Sequence, residues 1–196
     1  MSRQAFLNAI ALDMAFGGSS NTALHLPALA HEADIKIGLD DFNKIGERTP
    51  HICNMAPGGP WHLEDLDQVG GVMTILKELE KKNLIDGSTI TATTRPLHES
   101  TLAAPDPDGK VVQTVDKPVH ETGGLCSLYG NLAPDGSIVK ASAVLPEMMQ
   151  HSGPARIFDS ESEACEAILG GKIEAGDVVV IRYEGPKGGP GMREML

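Results

Sequence analysis

The spacing of apolar residues changes part-way along the chain, and this change constrains the fold more than any other feature. Up to about residue 100 the apolar side chains recur at helical intervals, whereas beyond residue 120 they form short β-prone runs separated by turns. Between them, Ala103–Lys110 (AAPDPDGK) has the composition of a loop. The sequence therefore predicts a mostly helical part over residues 1–105, a linker over 106–119 and a strand-rich part over 120–196.

Four helices are predicted in the first part. In Ala5–Phe16 apolar residues fall on nearly every helical face, so this helix should be largely buried. Pro27 lies inside the next helical pattern, which should therefore start late or be kinked. Ser88–Thr94 follows the helices and is β-prone. The predicted helices are Ala5–Phe16, a segment that starts within Ser19–Thr22 and ends near Glu32, Leu39–Ile45 capped by Asp40 or Asp41, and Asp65–Glu80.

Short strands and one helix are predicted in the second part. Pro134-Asp135-Gly136 indicates a turn, because proline sets φ and glycine accepts a positive φ. The helix Ser160–Leu169 should be capped by Asp159 or Ser160 and stopped by Gly170-Gly171. The candidate strands are Gly124–Tyr129, Ser137–Val144, Ala155–Phe158 and Asp177–Arg182.

Charge and hydropathy argue against several classes of function. The formal net charge is −11 and the basic residues are scattered, which disfavours nucleic-acid binding. No apolar run approaches the ~18–20 residues that span a bilayer. Cys53, Cys126 and Cys165 have no CxxC spacing, which disfavours a disulfide framework or a self-contained zinc site. We interpret Cys126 and Cys165 as buried thiols, in a protein of a reducing cytosol or organelle matrix.

The segment Gly17–Thr22, GGSSNT, is a candidate ligand-binding turn. It places two glycines and four small polar residues where the second helix begins. Unpaired N–H groups and the positive end of the helix dipole suit a carboxylate or a phosphate there. An ordinary cap and turn is the alternative, although a cap alone does not need two preceding glycines.

A second glycine-rich loop, Gly185–Gly191 (GPKGGPG), follows the last predicted strand. Such a loop lets backbone N–H groups face an anion and lets a ligand approach closely. It does not match the P-loop pattern GxxxxGK[ST]. Glu194 lies just beyond the loop, either as a functional carboxylate or as an ordinary surface residue.

Three stretches of the sequence resemble one enzyme family. Ala9–Leu26, Gly130–Gly136 and Gly176–Met195 are similar to segments of the dihydroxy-acid dehydratases, whose wider family includes 6-phosphogluconate dehydratase and the sugar-acid dehydratases. The likeness runs through nearly the whole chain. Pro50–Pro57 looks most like the branched-chain dihydroxy-acid enzyme.

The resemblance implies an α/β fold in two parts, of which this chain holds an internal piece. Residues 1–105 would be the mostly helical end of an N-terminal, cluster-binding α/β domain. Residues 106–119 would be the linker. Residues 120–196 would begin a strand-rich, swivelling β-barrel-like C-terminal domain, which is incomplete here.

The resemblance also implies a hydro-lyase reaction in branched-chain amino-acid biosynthesis. A 2,3-dihydroxy acid such as 2,3-dihydroxyisovalerate or 2,3-dihydroxy-3-methylvalerate would lose water to give an enol, which becomes a 2-oxo acid. An iron–sulfur cluster would act as the Lewis acid, and Mg²⁺ would hold the carboxylate end of the substrate. A sugar-acid or 6-phosphogluconate dehydratase, or a non-catalytic anion-binding module, is the alternative.

The family's functional residues carry over to only a few positions of this chain. Glu194 would be a magnesium ligand, and the substrate-binding residues would be Ser20, Asn21, Thr22, Gly188 and Gly189. No catalytic residue is expected within the chain: the serine base belongs downstream, and the cluster cysteines belong upstream. We therefore expect this chain alone to be inactive, and the complete enzyme to be a homodimer in the cytoplasm or in a plastid or mitochondrial matrix.

Overall fold

The computed structural model describes residues 1–185. Contacts within the chain divide it into two compact units, Met1–Val144 and a second unit that begins at Leu145. Helices and small sheets occur together, consistent with an α/β fragment. In the described part of the chain no helix is both long and apolar enough to cross a membrane.

The first unit contains six helices and one small sheet. Strands β1 and β2 pair antiparallel, with Ser127 opposite Ile138. A short 3₁₀ turn, Ala141–Ala143, follows the sheet. The helices are α1 Arg3–Ala15, α2 Ser20–Glu32, α3 Leu39–Arg48, α4 Leu63–Gln68, α5 Gly71–Lys81 and α6 Leu97–Ala103, and the strands are β1 Cys126–Leu128 and β2 Ser137–Val139.

Helix α1 lies at the centre of the hydrophobic core of the first unit. Its residues Ile10 and Met14 are fully buried, together with Phe42 of α3 and Ile75 and Leu79 of α5. Apolar residues on nearly every face of α1 allow this burial, since several elements surround the helix. The core therefore holds the end of α1 in place, where the turn Gly17–Thr22 begins.

Strand β1 is attached to α3 by a reciprocal pair of hydrogen bonds. The Ser127 amide donates to Asn43 Oδ1 at 2.7 Å, and Asn43 Nδ2 donates to the Ser127 carbonyl at 3.0 Å. Ser127 Oγ also donates to the Leu39 carbonyl at 3.1 Å. These bonds make the segment around β1 part of the first unit.

The second unit is built around a strand–helix–strand arrangement. Strand β3 (Ala155–Phe158) pairs parallel with β4 (Val178–Ile181), and α7 (Glu161–Leu169) connects them. Ser160 caps α7 by accepting a hydrogen bond from the Glu163 amide at 3.2 Å. A second 3₁₀ turn, Pro146–Met148, precedes the sheet.

Several predicted elements are confirmed. Helices α1 and α7 match their predicted segments closely, and α2 keeps Pro27 in its interior. Each of the four candidate strands contains a strand, although β1 and β2 are shorter than predicted. Local periodicity and turn chemistry were sufficient for these elements because each lies between clear breaking residues.

Other predictions are wrong for identifiable reasons. The single helix Asp65–Glu80 is two helices, because Gly70 and Gly71 adopt φ of 105° and 67°, which a continuous right-handed helix cannot contain. The cap of α3 is Gly38, whose amide donates to Asp41 Oδ2 at 3.2 Å, so neither Asp40 nor Asp41 is the N-cap residue.

The β-prone segment Ser88–Thr94 forms turns and no strand. Asp86 Oδ1 accepts hydrogen bonds from the amide and the hydroxyl of Ser88, at 2.9 and 2.6 Å, which closes a local turn. The Thr91 amide donates to the Arg95 carbonyl and closes a second turn. Helix α6, which directly follows, was not predicted.

The predicted β-barrel is not found among residues 1–185, where each of the two sheets has two strands. The structure supports the α/β class, because helices and small sheets occur together. The domain boundaries at residues 105 and 120, and the swivelling relation between the domains, stay predictions.

Candidate functional site

The turn between α1 and α2 requires glycine at two successive positions. Gly17 and Gly18 adopt φ of 99° and 75°, in the left-handed region that costs other residues about 1–2 kcal/mol. The Gly18 amide donates to the Asp13 carbonyl at 2.8 Å and closes the end of α1. The double glycine thus reverses the chain sharply and starts α2 at Ser20.

Neighbouring elements pack tightly against this turn. A Cβ atom on Gly17 would lie 3.0 Å from His51 Nε2, and one on Gly18 would lie 2.5 Å from Leu125 Cγ. Gly124 packs directly on the backbone of Gly17. Ser142 Oγ donates to the Gly17 carbonyl at 2.8 Å. The position of the turn is therefore fixed by contacts from three separate segments.

Asp13 holds the other side of the turn. Its Oδ1 accepts a hydrogen bond from the Ser19 amide at 3.2 Å and another from Thr22 Oγ1 at 2.9 Å. Ser19, the N-cap residue of α2, makes no capping bond with its own side chain. The carboxylate of Asp13, from the preceding helix, therefore accepts hydrogen bonds at the start of α2 in place of a local capping side chain.

The environment of Asp13 opposes its ionisation. Oδ2 is buried and has no hydrogen-bond partner within residues 1–185. Burial raises the pKa of Asp13 from its ordinary 3.8 to about 6, although the bonds from Thr22 and Ser19 and the charge of Lys140 act in the opposite direction. The group is ionised above neutral pH and titrates close to the physiological range.

His51 supports the turn as a neutral imidazole. It is fully buried, and its ring stacks on that of His120 with 5.2 Å between centroids. Nε2 lies 3.0 Å from the Cys53 carbonyl and must be the donor, which leaves Nδ1 without a proton. Desolvation lowers the pKa of His51 to about 4, so the ring carries no charge at neutral pH.

The predicted site residues differ in their surroundings. Ser20 and Asn21 are exposed, whereas Thr22 is half-buried and bonded to Asp13. Gly188, Gly189 and Glu194 lie outside the described residues. The structure therefore describes one of the two predicted ligand-binding segments.

Three supporting residues were missed by sequence reasoning. Asp13, His51 and Ser142 all contact the turn, but they come from α1, from the loop after α3 and from the 3₁₀ turn after β2. Asp13 stands only four residues before the first glycine, which was the one local signal available. His51 and Ser142 lie far along the chain from the turn, and no spacing rule indicates them.

A shallow recess of about 280 Å³ lies beside the turn. Asp13 and Thr22 are its polar lining residues. The remaining lining residues are apolar: Ala9, Leu12, Phe16, Leu26 and Val72. Asp13 and Thr22 thus form the polar edge of a mainly apolar recess.

The cysteines described here do not suit an iron–sulfur cluster. Burial raises the pKa of the Cys53 thiol to about 12, so the metal-free thiol is protonated at neutral pH. Its sulfur lies 3.4 Å from the Met55 sulfur inside the core. The interpretation of Cys126 and Cys165 as buried thiols is wrong: both are half-buried, and they belong to different units.

Comparison with known proteins identifies the family. The model of the dihydroxy-acid/6-phosphogluconate dehydratase N-terminal domain matches residues 1–100, and the C-terminal model of the same family matches residues 110–196. Since these matches together cover nearly all of the chain, it belongs to the dihydroxy-acid/6-phosphogluconate dehydratase family.

Individual relatives are similar over the full length of the chain. A protein named dihydroxy-acid dehydratase from Desulfosudis oleivorans is 56% identical over 197 residues, and one from Caldanaerobacter subterraneus is 55% identical over 196. A third, from Moorella thermoacetica, is also 55% identical. The chain spans about 35% of the length of these curated relatives.

Proposed function

We propose that the complete protein carrying this chain is a dihydroxy-acid dehydratase. It removes water from a 2,3-dihydroxy acid, in branched-chain amino-acid biosynthesis, and releases a 2-oxo acid. The observation that carries the proposal is the identity of 55–56% over the whole chain to proteins of that name. The rigid turn Gly17–Thr22 supports it, since it offers a preorganised binding surface within a segment that resembles the family.

The residues of this chain would bind and orient the substrate. At the start of α2 the Thr22 amide donates to the Ser19 carbonyl at 2.9 Å, which leaves the amides of Ser20 and Asn21 to favour a negative charge. These two amides suit the carboxylate end of a dihydroxy acid. The side chains of Ser20 and Asn21 are exposed beside these groups. Because the turn is held by contacts from several segments, the donors need little reorganisation when the substrate binds.

We extend the proposal to the second glycine-rich segment. There Gly188 and Gly189 would bind the substrate, and Glu194 would bind Mg²⁺. Mg²⁺ prefers oxygen ligands, and the carboxylate of Glu194 follows a loop whose glycines let a metal and a substrate approach. When bound, the magnesium and the iron–sulfur cluster supply Lewis-acid chemistry to the substrate oxygens. The cluster ligands would come from the rest of the complete protein, because Cys53 is fully buried in the hydrophobic core.

A charge-removing substitution tests the proposed metal ligand. In the complete protein, reconstituted anaerobically with iron, sulfide and Mg²⁺, Glu194→Gln should lower kcat for 2,3-dihydroxyisovalerate by at least about a hundredfold. Glu174→Gln is the matched control, because Glu174 is an exposed glutamate in the loop before β4. Normal turnover by Glu194→Gln, with the cluster absorbance intact, would show that Glu194 is not a ligand.

The same resemblance leads us to propose a homodimer in the cytoplasm or in an organelle matrix. Three free cysteines are compatible with a reducing compartment. Sedimentation of the complete protein tests the oligomeric state, and a monomer at micromolar concentration would contradict it.

A further inference from the structure

The fold alone does not account for a negative charge at residue 13. Asp13 uses one oxygen for both of its hydrogen bonds, and the amide oxygen of an asparagine accepts the same two bonds. The other oxygen, Oδ2, is buried without a partner in the described chain. Burying an unpaired charged oxygen opposes folding. A residue that breaks a folding rule in this way is expected where function requires it.

The charge does determine the direction of the bond to Thr22. An ionised carboxylate can only accept hydrogen bonds, so Thr22 Oγ1 must donate its single proton to Asp13. The remaining lone pairs of that hydroxyl can then only accept. A neutral asparagine has two amide orientations: with its oxygen towards Thr22 it accepts as the carboxylate does, and with its nitrogen there it donates to Thr22 and gives up the bond from Ser19. The role of Thr22 would then not be fixed.

We propose that Asp13 is a positioning residue that commits Thr22 Oγ1 to accept a hydrogen bond from a hydroxyl group of the bound 2,3-dihydroxy acid. The inference rests on the proposed function. Thr22 and Asp13 both line the recess beside the turn, and Thr22 is half-buried. The carboxylate end of the substrate is left to the N–H groups at the start of α2, because Thr22 has no proton to offer it.

The arrangement holds when Asp13 is ionised. The charged group that acts on it is Lys140, between β2 and the following 3₁₀ turn, and it favours the carboxylate. Thr22 and Ser19, from the start of α2, donate hydrogen bonds to the same carboxylate. Kinetic measurements at a pH of about 8 therefore examine the ionised form.

A double-mutant cycle on the reconstituted complete protein tests the proposal. Thr22→Val removes the acceptor and should raise KM for 2,3-dihydroxyisovalerate about fivefold, the effect of one neutral hydrogen bond. Because the bond exists in both ground and transition states, kcat should change by less than about twofold. Asp13→Asn should also raise KM in the unmodified background. In the Thr22→Val background it should not raise KM further. An equal effect of Asp13→Asn in both backgrounds, or none in either, would overturn the proposal.

Two further variants separate positioning from a general loss of structure. Thr22→Ser keeps the hydroxyl and should keep KM near the unmodified value. Asp86→Asn is the matched control, since Asp86 also accepts from one amide and one hydroxyl, in a turn away from the site. A loss of folded protein lowers apparent kcat and leaves KM unchanged, which is the opposite of the expected result.

A readout independent of activity distinguishes this inference from the proposed function. In the complete protein, Asp13→Ala should speed amide hydrogen exchange across residues 17–23 at least about threefold, while Asp86→Ala should not. Inactivity of the unmodified protein towards 2,3-dihydroxyisovalerate would refute the proposed function. Unchanged exchange in Asp13→Ala would refute the role of Asp13, whatever the activity.

Discussion

The two units of the chain differ in how they bury apolar side chains. In the first unit, α1 is surrounded by α3 and α5, and Ile10, Phe42 and Ile75 are fully buried. In the second unit the described residues bury only Ala164 and Ala167. The strands there are parallel, an arrangement that usually has both faces covered, yet Ile157 is 54% exposed within this chain.

This difference explains where a precise site can be built. The turn Gly17–Thr22 follows directly from the buried end of α1, so the packed core sets its position. A two-stranded sheet is only marginally stable by itself. We therefore expect the first unit to unfold cooperatively, and the second to open at a much lower free energy.

The largest expected effect compares two isoleucines. Ile75→Ala removes a fully buried side chain and should lower the free energy of unfolding of the first unit by about 2–5 kcal/mol. Ile157→Ala should change the stability of the second unit by less than about 1 kcal/mol. Urea unfolding followed by Trp61 fluorescence measures the first unit, and hydrogen exchange measures the second. Equal losses would contradict the contrast between the units.

The next effect compares two glycines with similar backbone angles. Gly18 and Gly171 have φ of 75° and 68°, so alanine is strained at both by about 1–2 kcal/mol. At Gly18 the added Cβ also meets Leu125, whereas at Gly171 it meets nothing within 4 Å. Gly18→Ala should therefore cost about 1–3 kcal/mol more than Gly171→Ala. The same unfolding measurements check this, and equal costs would show that the turn is not tightly packed.

The smallest effect is a pH dependence that comes from Asp13. Because the pKa of Asp13 is raised to about 6, the folded chain holds this proton more tightly than the unfolded chain. This contribution therefore favours folding below a pH of about 4 and is lost as the pH rises through about 6. As the pH rises from about 4 to about 6, Asp13→Asn should therefore become more stable than the unmodified chain, by on the order of 1 kcal/mol.

His51 acts in the opposite direction and cancels in this comparison. Its pKa is lowered to about 4, so its contribution is present above its ordinary value of 6.5 and is lost as the pH falls towards 4. The unmodified chain and Asp13→Asn share this contribution, so the difference between their free energies of unfolding comes from Asp13. A difference that does not vary with pH would contradict the buried, destabilised carboxylate.

Local signals in the sequence predicted several of the elements, while contacts between distant segments were not predictable. Periodicity and flanking glycines were enough for α1 and α7. The break at Gly70 was missed because the apolar stripe continues through it. Ser88–Thr94 was assigned by β-propensity, although within residues 1–185 it makes only an isolated bridge, from Ile90 to Pro96. At the site, the double glycine was recognised, but the bond from Ser142 to Gly17 joins residues 125 positions apart.

The most direct test of the account is the substrate preference of the complete protein. With reconstituted cluster and Mg²⁺, formation of the 2-oxo acid from 2,3-dihydroxyisovalerate should have a kcat/KM at least about a hundredfold above that for 6-phosphogluconate, a discrimination of about 2.7 kcal/mol. A preference for 6-phosphogluconate would place the protein elsewhere in the same family. No dehydration of either substrate by protein with an intact cluster would contradict the proposed function itself.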